Sequence, residues 1–89
     1  MDSDTETIII CALRYAFTRR SYMPTLVADY IVDRFLEMSE GRQEIAIADI
    51  REHIEDAELF GAYRECDAYI LRYWKNTLHK LKTLKTNNS

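Results

Sequence analysis

The chain has 89 residues, 47% of them hydrophobic and 30% charged, with two glycines, one proline and a net charge of −3. That length suits one domain with a single modest core and falls below the size at which most enzymes assemble a cleft, while so few turn formers exclude a β-sandwich or barrel and a disordered chain alike. The acidic total also departs from the basic excess that marks a dedicated nucleic-acid binder.

The periodicity predicts an all-α bundle of four helices, at about 5–19, 24–39, 45–58 and 62–85, with 1–4 and 86–89 as flexible ends. In the first helix every residue from Ile8 to Phe17 is hydrophobic except Arg14. Ile9, Ala12, Leu13, Ala16 and Phe17 follow the i, i+3, i+4 spacing of one buried face, and Ile8, Cys11 and Tyr15 form a second apolar stripe beside it. Two stripes need two partners, and either the rest of the bundle or a second copy of the chain can supply the second. Asp4 or Thr5 is the expected cap, with Glu6 complementing the positive end of the helix dipole.

Pro24 suits the first turn of a second helix, whose apolar positions are Leu26, Val27, Tyr30, Ile31, Phe35 and Met38. Gly41 is the predicted left-handed terminator after it. Ile47, Ile50, Ile54 and Ala57 mark the third helix, preferred over a short strand at 44–47, with Gly61 as terminator and Phe60 tucked beneath it. The fourth and longest helix repeats Tyr63, Cys66, Tyr69, Ile70, Tyr73, Trp74, Thr77, Leu78, Leu81 and Leu84. Cys11 and Cys66 sit within apolar patterns at no paired spacing, which predicts buried, reduced thiols and no disulfide. No cationic segment precedes the short Ile8–Ala12 apolar run, so neither a signal peptide nor a membrane span is expected, and the prediction is a cytoplasmic protein.

Charge is unevenly spread. Between Glu37 and Asp67 ten acids face three arginines, a local excess of seven negative charges, whereas the chain after Asp67 carries Arg72, Lys75, Lys80, Lys82 and Lys85 and no acid. Three surfaces follow. Arg14, Arg19, Arg20 and Tyr22, at the exit of helix one, combine fork-shaped donors with a stacking ring and suit a phosphate or carboxylate partner, against the simpler role of capping a helix end toward Asp29 or Asp33. Glu52, Glu55, Asp56 and Glu58 form a carboxylate array that could occupy a cationic groove on another protein, against the simpler role of a solvated face. The lysines of the last helix, with Arg72, are the alternative nucleic-acid contact, although their neighbouring aromatics fall on the apolar stripe.

Asp49 and His53 share a helix face at i, i+4, but no four-ligand set accompanies them, and no nucleophile has a base and an orienting group. No metal, cofactor or enzymatic activity is therefore expected. Ala12-Leu13-Arg14-Tyr15-Ala16, then Arg19-Arg20-Ser21-Tyr22-Met23 and the helix Val27–Ile31, resemble a run found in small proteins of phages and mobile elements. The likeness covers about a quarter of the chain, and Phe17-Thr18 replaces the Leu-Gly pair of that pattern, which predicts a slightly longer first helix. The resemblance implies a stoichiometric inhibitor in the host cytoplasm, acting on a host protein or ribonucleoprotein such as a CRISPR effector or another defence complex. A homodimer and a small nucleic-acid-binding regulator are the accompanying expectations.

Overall fold

The computed structural model describes residues 1–18, 23–61 and 63–87, with the side chain of Cys66 left aside. Four α-helices form the expected bundle: α1 (Ser3–Ala16), α2 (Pro24–Arg34), α3 (Glu40–Phe60) and α4 (Ala68–Asn87). Short 3-10 turns at Phe35–Glu37 and Glu65–Asp67 precede α3 and α4, and no strand occurs among the described residues. No helix among them is long and apolar enough to cross a membrane.

Cross-helix pairs define the directions. Arg42 donates to the Thr7 hydroxyl at 3.2 Å and Arg14 Nε to Asp49 at 2.8 Å, so α1 and α3 run parallel. Lys85 meets Glu44 at 2.7 Å and Lys75 meets Glu58 at 2.5 Å, so α4 returns antiparallel to α3. Tyr73 donates its hydroxyl to Asp29, tying α4 to α2. Leu13, Ile31, Phe35, Ile50, Trp74 and Leu81 fill the centre, one or more from each helix. The buried Thr77 hydroxyl is satisfied within its own helix by the Tyr73 carbonyl at 2.8 Å.

Several expected boundaries move, each for a local reason. Asp2, rather than Asp4 or Thr5, caps α1 by accepting from the Thr5 amide at 2.7 Å. At its other end α1 stops at Ala16, short of Arg19, where the amides of Phe17 and Thr18 bond the carbonyls three residues back, of Arg14 and Tyr15, and the Thr18 hydroxyl donates to the same Tyr15 carbonyl at 2.8 Å. Gly41 does not terminate α2; it lies in the first turn of α3, with Ser39 at the N-cap. Gln43 closes the preceding 3-10 turn by donating from Nε2 to the carbonyls of Phe35 and Met38, both at 3.0 Å, which removes any need for a left-handed residue there. Gly61 does terminate α3, at φ 61° and ψ 44°, but Phe60 beside it is exposed instead of tucked under the turn. Among the described residues α3, with 21, and α4, with 20, are of nearly equal length. Cys11 is exposed, not buried.

Glu6 has a larger part than the dipole complement expected of it. It is buried, at 6% exposure, and its carboxylate accepts from the Ser39 amide at 2.7 Å and the Ser39 hydroxyl at 3.1 Å, with Arg42 Nε at 3.7 Å. An acid on α1 thus caps the start of α3, where unpaired amides and the helix dipole both favour negative charge.

Candidate functional site

Arg14, from the first of the expected charged surfaces, and Glu52 and Asp56, from the second, lie in one place. Because α1 runs beside α3, Arg14 reaches Asp49, and together with Phe17, Glu52, His53 and Asp56 these residues line an open depression of about 210 Å³. The Arg14 guanidinium is mostly exposed, and its hydrogen bond to Asp49, followed by that carboxylate's charge, holds its proton more firmly than usual. The bridging partner is Asp49 and neither Asp29 nor Asp33. Arg19, Arg20 and Tyr22 lie outside the described residues.

Of the four acids expected to form the array, Glu58 is neutralised by Lys75. Glu52, Glu55 and Asp56 are exposed and form no ion pair among the described residues. They lie three and four residues apart, so like charges adjoin on one side of α3, an arrangement that weakens an isolated helix by a few tenths of a kcal/mol per pair. At the far end, Lys75 and Lys85 are engaged by Glu58 and Glu44, while Arg72, Lys80 and Lys82 are exposed. The aromatic residues near them divide: Trp74 is buried, Tyr73 is held by Asp29, and Tyr69 is exposed.

The floor of the depression is an aromatic group that the sequence did not single out. Phe17 stacks on His53 with ring centroids 4.2 Å apart and planes 12° from parallel. His53 Nε2 lies 2.6 Å from the Tyr63 hydroxyl, and Trp74 meets the rings of both Phe17 and His53 edge-on. Burial lowers the His53 pKa from its ordinary 6.5, more than the nearby Asp56 charge raises it, so the ring is neutral near pH 7 and shares its Nε2 hydrogen bond with the tyrosine in a direction set by its tautomer. Burial likewise raises the Tyr63 pKa. The only sequence signal for this group was the i, i+4 pair Asp49 and His53, and no cluster of three metal-ligating side chains occurs among the described residues.

A histidine whose folded pKa lies below its unfolded value takes up more protons when unfolded at pH values between the two. Its contribution to stability is therefore complete above about pH 6.5 and is lost as pH falls through the depressed folded value. Denaturant melts should show the protein weakening as pH falls below about 6.5, and His53→Gln should flatten that slope. An equal slope in both proteins would place the titrating group elsewhere.

No protein-family model, curated protein or solved structure matches the chain.

Proposed function

We propose that the protein is a non-enzymatic binding protein that occupies a cationic surface on a protein or ribonucleoprotein, acting stoichiometrically as an inhibitor. The observation that supports this is the run of Glu52, Glu55 and Asp56 along one helix, exposed and without an ion pair among the described residues, beside an arginine already held by Asp49. A backbone already ordered as helix loses little freedom on binding, and its carboxylates steer toward a positive partner, so such a ridge contributes to encounter rate and to the choice of partner. The resemblance to small phage proteins extends the proposal to a host defence complex in the host cytoplasm as the target.

The test is affinity capture on the immobilised full chain, with and without nuclease, from a lysate of a bacterium carrying such a complex. The triple variant Glu52→Gln, Glu55→Gln, Asp56→Asn runs in parallel. A stoichiometric protein partner that the variant loses, and that wild type releases as salt is raised, is the expected result. Equal capture by the variant would reduce the ridge to a solvated face. Capture abolished by nuclease would favour the alternative surface of Arg72, Lys80 and Lys82.

A further inference from the structure

The outer side of α1 is as apolar as its inner side. Ile9, Leu13 and Ala16 face the core, while Ile8, Cys11 and Tyr15 point away from it and are exposed. The bundle therefore covers only one of the two stripes, although a helix apolar on all sides is ordinarily buried. The uncovered stripe continues onto α2, where Leu26 and Tyr30 are also exposed. Between the two helices runs an apolar groove of about 320 Å³, flanked by Ile8 and Ala12 on one side and Leu26 and Tyr30 on the other.

We infer that this α1–α2 face is covered by a second copy of the chain, with α1 packed antiparallel on α1 about a two-fold axis. Area and complementarity support it. Ile8, Tyr15, Leu26 and Tyr30 are between 47% and 67% exposed. At about 200 Å² for each large side chain they leave roughly 450 Å² uncovered. That lies well inside the range of a soluble monomer's largest patch, often a functional one, and is more than half of the ~800 Å² each partner gives a standard interface. It suits a dimer of moderate affinity.

The stripe is also complementary to itself, as a two-fold contact requires. Asp4, Ile8, Cys11 and Tyr15 recur at helical spacing along the outer face. Reversed upon themselves, they set Ile8 opposite Cys11 and Tyr15 opposite Asp4, so a phenol donor meets a carboxylate acceptor at each end. The first turn of α1 carries the exposed acid Asp4, and its last turn carries Arg14, whose side chain stays mostly exposed while bridging Asp49. Antiparallel pairing puts the acidic end of one copy beside the arginine of the other and opposes the two helix dipoles favourably. The second copy's Tyr15 then comes over the Asp4–Thr5 end of the groove.

The mass of the full chain, measured by sedimentation equilibrium from about 10 μM to about 1 mM, tests this without any foreign partner. It is expected to rise from the 10.5 kDa of one chain toward twice that value. Ile8→Glu, at an exposed position, should retain its circular dichroism and melting temperature, yet weaken association about a hundredfold, since the change enters the symmetric contact twice. As an independent readout, a short bismaleimide should join two chains through Cys11, and Cys11→Ser should abolish that product. A monomer throughout the concentration range would overturn the inference, as would a dimer left undiminished by the folded Ile8→Glu variant. Either outcome leaves the acidic ridge to stand or fall on its own test.

Discussion

Trp74→Ala should cost about 3–5 kcal/mol, the range for removing a large buried aromatic without full collapse of the cavity. Against the roughly 5–15 kcal/mol that holds a small domain together, this leaves the protein barely folded or unfolded at 25 °C. Trp74 is 1% exposed and is the point at which α4 meets the aromatic group built by Phe17, His53 and Tyr63 from the other segments. Its indole Nε1 is buried without an acceptor in hydrogen-bonding geometry among the described residues, although it lies near enough to Tyr63 to oppose the upward shift of that phenol. Trp74→Phe therefore removes volume but also an orphaned donor, and should cost about 1–2 kcal/mol, well below the alanine change. Urea melts followed by far-UV circular dichroism compare the two, since Trp74 is the chain's one tryptophan and its fluorescence is lost in both. Equal losses would mean that the indole N–H has a partner in solution, such as an ordered water.

The second large effect is expected at Glu6. Alanine there removes both bonds to Ser39 and leaves the Ser39 amide at the head of α3 without its acceptor. Bonds to a charged acceptor are about twice as strong as neutral ones, and a part-buried donor left unmet adds its own desolvation cost, so a loss of about 2–3 kcal/mol is expected. In a domain of this size that lowers the melting temperature by about 10–20 °C. Glu6→Gln keeps an acceptor but not the charge opposite Arg42 and the helix dipole, and should fall between alanine and wild type. Ser39→Ala, which spares the amide contact, should be the mildest of the three; if it matched Glu6→Ala, the hydroxyl and not the capped amide would be the important partner.

The opposite fates of Glu6 and Asp2 show how far local pattern reaches. Asp2 acts within three residues of itself, a distance over which side-chain chemistry and helix geometry are coupled in the sequence, so a cap near that end was legible even though the capping residue was placed two or three positions late. Glu6 acts on Ser39, thirty-three residues away, and nothing within a single turn of α1 announces that. Gly41 failed as a stop signal for the same reason. The first turn of α3 is held by an acid from another helix and the turn before it by Gln43, so the chain needed no left-handed residue at that point.

By itself the sequence determined the all-α class, the number of helices, the inward positions Ile9, Leu13, Ile31, Ile50, Trp74 and Leu81, and the stop at Gly61. These follow from a 3.6-residue repeat and from one backbone conformation, properties a short segment carries alone. That the bundle leaves the Ile8, Cys11 and Tyr15 stripe of α1 uncovered, that Arg14 answers Asp49 beside Glu52 and Asp56, and that His53 stacks under Phe17 were decided only by the tertiary structure. Each depends on the parallel placement of α1 and α3, and that placement is set by packing between segments far apart in the chain, where periodicity within either helix carries no information about its neighbour.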